Sequence, residues 1–418
     1  MNKFYQKKIA IISPYYLPAD LSGAEIVNQQ IAEFFGEKNC VHLITSDSRR
    51  VRYFADLIKN DNIKKKGEIL NRVKIIRLKH NKYLAFIKYV TYKVLQLFPN
   101  LKITKYFEIS AYGPQINQRQ LSNLLNEEEY DLIYSVLPHY LNVQLIRTIS
   151  SLKKTPKLII RPDLNFVLPV YKNSLIKKIL DKVDLVHAIT LSEKNLINRY
   201  YSISLNRIFV VNNSLDLNRY EQSLPIEKQV NTIKNKYHLF NKKIILFVGN
   251  KNYDKGAFSV VLASKKLYKK DKNISLITMG YGDKKWEIFS KKYKETFLID
   301  LPYSKEVVKK TFYRLCDVYC MPSQADAFGL SFLEAWQAKK PVIGAITPMA
   351  KELIEENSAG YCVKFNNIDQ LAEKINKLIN NKLLSKKIGT NGYFALINKY
   401  NFKITQKQLS DKFFELLS

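Results

Sequence analysis

The sequence predicts an α/β protein made of two Rossmann-like, doubly wound domains in tandem. Three observations carry this. The chain has 418 residues, too many for one ordinary core, and two domains of roughly 200 residues are the natural division. Hydrophobic residues make up 46% of it, enough for two packed cores and too many for a disordered chain. Short β-rich strands recur with helical stretches between them and without Asn-Gly hairpin turns at their junctions, which argues for parallel pairing.

The first strand is KIAIIS at 8–13, followed by the loop PYYLPADLSGAE and a helix over 26–35. The next strand is CVHLITS at 40–46. Strand, loop, helix, strand is how a doubly wound parallel sheet begins. The pattern returns at 131–137, 157–161, 184–190 and 207–214. A polar, Lys-rich stretch from 218 to 243 suits a linker and an entry helix. A second series then runs through KKIILFVGN (242–250), ISLITMGYG (274–282), DVYCMPS (317–323), KPVIGA (340–345) and GYCVKF (360–365). The expected domains are 1–217 and 218–400. Leu409, Phe413 and Leu416 fall at helical spacing, so 401–418 is expected as a helix packing back on the N-terminal domain. Two such domains facing across a cleft would place ligands at the carboxyl ends of the strands.

Several classes are disfavoured. No apolar run approaches the ~18 residues of a membrane span. The four apolar residues before Ser13-Pro14 are too short for a signal-peptide core. Cys40, Cys316, Cys320 and Cys362 form no CxxC pair and no metal-ligand spacing, and read as buried small hydrophobes in a reducing cytoplasm. The formal charge of +31 favours anionic partners: nucleic acid, an acidic membrane surface or phosphate-bearing substrates. Compositional bias toward Lys, Asn, Ile and Tyr explains it equally well. No nucleic-acid reader module is recognisable, so no nucleic-acid partner is expected.

The charge is uneven, with sixteen Lys/Arg against three Asp/Glu in 49–105. Within it, 83–98 places Leu84, Ile87, Thr91, Val94, Leu95 and Phe98 along one helical face, with Lys82, Lys88 and Lys93 beside or opposite it. Such a helix suits lying on an anionic bilayer, peripheral to the inner face of the cytoplasmic membrane; packing its apolar face on the N-terminal domain is the equal alternative.

The segment richest in chemistry is PSQADAFGLSFLEAWQAKKPVIGA at 322–345. A strand ends at Met321, a small polar loop follows, and a helix begins near Gly329 and Leu330. Main-chain N–H groups at a helix start can bind phosphate or sugar oxygens. Asp326 in the loop and Glu334 two turns into the helix could both accept hydrogen bonds from sugar or ribose hydroxyls. On spacing alone, a helix-face carboxylate and an ordinary loop residue are equally good readings.

This stretch resembles the signature of family 4 of the retaining glycosyltransferases, E-G-F-G-L-P-x-x-E-A, through Asp326, Phe328, Gly329, Leu330, Glu334 and Ala335. The resemblance implies the GT-B fold, a ribose role for Glu334 and a donor-sugar role for Asp326, whose side chain is shorter than the family's glutamate. FVGNKNYDKGA at 247–257 resembles the family segment F-V-G-R-x-x-x-x-K-G. Gly249 and Lys255 match; Asn250 stands in place of the arginine, and Lys251 is a substitute of different shape, a point charge rather than a fork. The first loop is similar to one ending in Gly-Gly-Ala-Glu, with Ser22 for the first glycine and Gly23 for the second. RIFVVNNSLD at 207–216 resembles V-I-P-N-G-V-D through Asn213 and Asp216, and MGYGD at 279–283 resembles the turn near the base pocket. KELI at 351–354 is similar to P-E-V-V.

The family often carries a histidine near the donor sugar after the strand at 157–161, where this chain has Pro162. His139 is the candidate to replace it, with Arg161 and Asp163 as rivals. The resemblance further implies metal-independent transfer with retention from a nucleotide-diphosphate sugar, a UDP-sugar above all, with no separate cofactor. The implied acceptor is a glycan or lipid-linked hydroxyl in polysaccharide or lipopolysaccharide synthesis. A nucleotide-sugar epimerase of the same fold and a basic nucleic-acid-binding protein are the rival readings.

Overall fold

A computed structural model describes residues 7–19, 23–49, 62–63, 67–99, 101, 103–104, 106–107, 111, 113–136, 140–221, 227–294, 296–304, 306–324 and 326–418. The chain divides into two compact units. One comprises Met1–Val211 with Gln406–Ser418, the other Asn212–Thr405. The division precedes the expected 217/218 because 212–217 pairs within the second unit. There Leu215 N donates to Tyr400 O at 3.0 Å, and Thr405 Oγ1 donates to Ser214 Oγ at 2.7 Å.

The first unit holds an eight-stranded sheet. Its strands are β1 (Lys8–Ile12), β2 (Cys40–Ser46), β3 (Gly67–Leu70), β4 (Val73–Leu78), β5 (Leu132–Val136), β6 (Lys157–Arg161), β7 (Leu185–Ala188) and β8 (Ile208–Val210). They lie in the order β3-β4-β2-β1-β5-β6-β7-β8. The central strand β1 is buried from Ile9 to Ile12, as a strand covered on both faces must be. All pairings are parallel except β3 with β4. That hairpin is absent from the sequence expectation. Its turn residues Asn71 and Arg72 have φ of 48° and 66°, both left-handed as a type I′ turn requires. Asparagine gives that turn a weak signal, and arginine gives none.

The final helix, Phe402–Leu417, buries Leu409 and Phe413. The Phe413 ring stacks on Phe35 at 4.6 Å and lies 5.3 Å from Tyr134, so its last turns complete the first unit's core. Burying one such ring contributes about 1.5–3 kcal/mol. Of the two orientations open to the helix Lys82–Leu95, the structure has the one with the apolar face outward. Ile87, Val94 and Phe98 are exposed, while Lys88 turns inward with Ala85 and Tyr92.

The second unit is a six-stranded, all-parallel sheet of β9 (Lys243–Val248), β10 (Ile274–Met279), β11 (Leu298–Leu301), β12 (Val318–Met321), β13 (Val342–Ala345) and β14 (Gly360–Val363). Its order is β11-β10-β9-β12-β13-β14. This is the winding of a dinucleotide-binding sheet, and its direction reverses between β9 and β12. The sheet's ligand crevice therefore belongs at the carboxyl ends of those two strands. No described helix is long and apolar enough to cross a membrane.

Candidate functional site

The loops leaving β9 and β12 are pressed together by glycines. Gly249 follows β9, and its N–H donates to Met279 O at 2.9 Å. A Cβ on Gly280 would meet Gly249 O at 2.0 Å, so the ends of β9 and β10 touch backbone to backbone. Gly256, with φ 73°, opens the helix Ala257–Tyr268, and a Cβ there would come within 2.5 Å of Pro322 O. Gln324 then zips the two loops: its N–H donates to Asp254 O at 3.0 Å, and its side-chain amide to Asp254 Oδ1 at 3.0 Å.

This closure brings two expected site residues into contact. Lys255 Nζ lies 2.7 Å from Asp326 Oδ2, with 23% and 26% of the side chains exposed. The pair joins the β9 loop to the β12 loop at the switch point and remains open to water. Just beyond, Gly329 caps the helix Leu330–Gln337 with φ 92° and without a side-chain cap hydrogen bond. A Cβ on it would meet the Phe332 ring at 2.6 Å. Leu330, half-buried, begins the helix. Its amino end, three residues after Asp326, has no side-chain cap, an arrangement suited to an anion.

Glu334 is on the same helix, one of its oxygens taken by each of two partners. Lys309 Nζ donates to Oε1 at 2.6 Å and Tyr313 OH to Oε2 at 3.0 Å. Lys309 also meets Glu306 at 2.9 Å. Burial works against its charge, but the two carboxylates outweigh burial and raise its pKa. Each Glu334 oxygen retains a second acceptor position, enough for a ribose diol. Sequence reading missed Lys309 and Tyr313. Their only signal is the i, i+4 spacing that puts both on one face of the helix Glu306–Leu315.

Lys251 is a correction. It is buried, its ammonium 2.7 Å from Asp300 Oδ1 and 2.9 Å from Leu301 O. Thr278 Oγ1 donates to the same Asp300 oxygen at 2.8 Å. Burial lowers the Lys251 pKa and Asp300 holds the charge in place. Lys251 therefore fastens the β9 loop to the end of β11 and does not stand in for the missing arginine. Asn250 itself is exposed. Lys255 is the cation that the motif presents at this surface.

In the first unit, Gly23 is the first residue of the helix Gly23–Gly36. His139 lies outside the described residues. Its rivals, Arg161 and Asp163, form a sealed pair. Arg161 ends β6 fully buried, and its Nη2 donates to Asp163 Oδ2 at 3.0 Å and to Ala24 O at 3.2 Å. Arg161 Nε is 2.9 Å from Asp163 Oδ1, in ion contact but off hydrogen-bond alignment. Asp163 has a left-handed backbone, φ 49°. The turn after it is held by Glu193, which accepts from Leu164 N at 2.6 Å and Ile189 N at 2.7 Å. Burial pushes the Glu193 carboxyl up to about 8, with Asp163 adding to the shift, against the two amides and Arg161. Nearby, His187 Nε2 donates to Val211 O and its Nδ1 accepts from Tyr134 OH, both at 2.8 Å. Burial lowers His187 to about 3, so this imidazole is a neutral core strut.

The thiols are structural as well. Cys316, Cys320 and Cys362 are buried and free, and burial takes Cys316 and Cys362 up to about 12. Among the described residues, no group of three His, Cys, Asp or Glu is placed to hold a metal ion.

Comparison with known proteins finds likenesses to part of the second unit and to the fold. Residues 229–394 match the family described as glycosyl transferases group 1. A capsular polysaccharide biosynthesis glycosyltransferase of Staphylococcus aureus is 28% identical over 190 residues, covering 44% of this chain and 49% of the relative. The chain spans about half the length of the first curated relatives it matches. Among solved structures, a sucrose-phosphate synthase from Thermosynechococcus elongatus has a TM-score of 0.75 at 16% identity, covering 98% of this chain and 99% of that one. An Anabaena protein, HepE, solved in complex with UDP-glucose, has a TM-score of 0.71 at 16% identity, covering 98% and 100%. Residues 229–394, which carry Lys255, Asp326, Gly329 and Glu334, thus match the glycosyl transferases group 1 family, in a chain of GT-B fold.

Proposed function

We propose that the chain is a retaining, metal-independent glycosyltransferase that moves a sugar from a nucleoside-diphosphate sugar, a UDP-sugar in the first instance, to a hydroxyl of a glycan or lipid-linked acceptor. The observation that carries this reading is the Lys255–Asp326 pair at the β9/β12 switch point, beside the uncapped start of Leu330–Gln337. In the reaction the anomeric C–O bond to the diphosphate breaks, the bond to the acceptor oxygen forms on the same face, and the acceptor's hydroxyl proton passes to the departing phosphate oxygen. Negative charge grows on the departing diphosphate, where Lys255 and the helix amino end stabilise it. Opening of the Lys255–Asp326 contact frees the carboxylate for the sugar, and Glu334 accepts from the ribose hydroxyls. The capsular-polysaccharide relative supports a role in cell-surface polysaccharide synthesis at the cytoplasmic side, where nucleotide sugars are made.

Thermal unfolding with UDP, GDP, ADP, CMP and their sugars tests the donor. A nucleotide at about 100 times its Kd adds about 2.7 kcal/mol, a rise of several degrees at roughly 2–4 °C per kcal/mol for a unit of this size. NMR of the product tests the stereochemistry, and activity surviving a chelator tests metal independence. An inverted anomer would sink the retaining mechanism, and no response to any nucleotide would sink the donor site.

A further inference from the structure

The helix Lys82–Leu95 is turned the wrong way for an ordinary amphipathic helix. Ala85, Lys88 and Tyr92 face the protein. Lys88 lies 5.9 Å from the Tyr106 ring centre, and burial together with neighbouring Arg147 lowers its amine to about 7. Tyr83, Ile87, Val90, Val94, Leu97 and Phe98 face water, with Tyr83 85% and Leu97 76% exposed. At 100° per residue, Tyr83, Phe86, Ile87, Val90 and Val94 fall within an arc of about 100°. Lys82 and Lys93 lie along one border of that arc. A continuous exposed apolar stripe that a helix could have buried against its own domain marks a surface with a partner.

Charge selects the partner. Residues 72–107 contain nine Lys/Arg and no Asp or Glu. A second copy of the chain docking through a two-fold interface would set these cations against themselves. An anionic bilayer accepts both components at once: the apolar stripe enters the acyl boundary and the flanking ammonium groups meet lipid phosphates. We propose that the outward face of Lys82–Leu95, continued by Leu97 and Phe98, is a membrane-docking surface for anionic lipid. The inference stands apart from the glycosyl-transfer reading, since no residue of the donor site takes part.

Flotation of the full chain with vesicles tests it. With about 30% phosphatidylglycerol in phosphatidylcholine the protein should float with the vesicles, and with phosphatidylcholine alone it should bind about tenfold less. Ile87→Glu with Val94→Glu should keep the thermal midpoint and the nucleotide response while reducing flotation tenfold or more. Lys82→Gln with Lys93→Gln, which adds no charge to the apolar arc, should weaken binding to anionic vesicles only. Failure to float with anionic vesicles overturns the proposal, as does equal flotation of the Ile87/Val94 variant. A dimer in light scattering that the Ile87/Val94 variant disperses would assign the surface to a second copy and overturn it as well.

Discussion

Each unit carries a carboxylate–cation pair after a sheet strand, and the two pairs differ in their access to water. Arg161 and Asp163 have 0% and 6% of their side chains exposed, and Asp163 is bound to a strained turn that Glu193 also holds. Lys255 and Asp326 sit at nearly the same separation with about a quarter of each side chain in water. A sealed pair can hold a backbone in place but cannot be exchanged for a ligand without unfolding its surroundings. A half-open pair contributes little to stability and can trade its partner for a phosphate or a sugar hydroxyl. Arg161–Asp163 is therefore a structural pair, as the buried Lys251–Asp300 pair of the second unit is, whereas Lys255–Asp326 is open to exchange with a ligand.

Breaking each pair should expose that contrast. Arg161→Ala leaves Asp163 buried without its partner, and should cost about 3–5 kcal/mol in chemical denaturation. Lys255→Ala should change stability by less than about 1 kcal/mol while removing donor turnover. If the two variants lose stability equally, the contrast between the pairs is wrong.

The pH dependence sharpens it further. Glu193 is raised to about 8 from 4.5, so between those values the folded state keeps a proton that the unfolded chain has released. Its stabilising contribution is full below pH 4.5 and is lost as pH rises toward 8. His187, lowered to about 3 from 6.5, gives the opposite slope between those two values. Above pH 6.5 the Glu193 effect is free of the His187 one. Lys88, lowered to about 7, adds a rise above that pH, so the Glu193 effect is read as a difference: in pH-dependent denaturation the stability of Glu193→Gln relative to wild type should grow between pH 6.5 and 8.

Gly329→Ala is expected to have a smaller effect. Its left-handed backbone costs about 1–2 kcal/mol for an L residue, and Phe332 must shift as well. Circular dichroism should show an intact fold, with nucleotide affinity reduced because the helix start has moved. Unchanged affinity would separate the helix amino end from the donor site.

Much of this was legible in the sequence where backbone chemistry leaves a mark. The β9 and β12 strands are apolar runs, and Gly249, Gly256 and Gly329 each stand where a Cβ is strained or would collide, so strand-to-loop junctions could be read directly. Side-chain direction was not legible. Lys251 and Lys255 are both lysines of one loop, yet Lys251 is drawn inward by Asp300, 49 residues away. Lys309 and Tyr313 reach Glu334 only through the packing of two helices. Lys88 facing inward decided between the two orientations open to its helix, since periodicity locates a stripe but cannot say which side of it the domain covers. The antiparallel β3–β4 hairpin escaped because its Asn71-Arg72 turn lacks the glycine that usually announces one.

The most direct test of the donor site is calorimetric titration of UDP, and of whichever nucleotide stabilises the protein best, into wild type and Glu334→Ala. A hydrogen bond to a charged group is worth about 1.5–3 kcal/mol, so the variant should bind at least about tenfold more weakly while keeping its fold. Equal affinity in the two proteins would contradict the ribose role of Glu334 and the placement of the donor at the β9/β12 switch point.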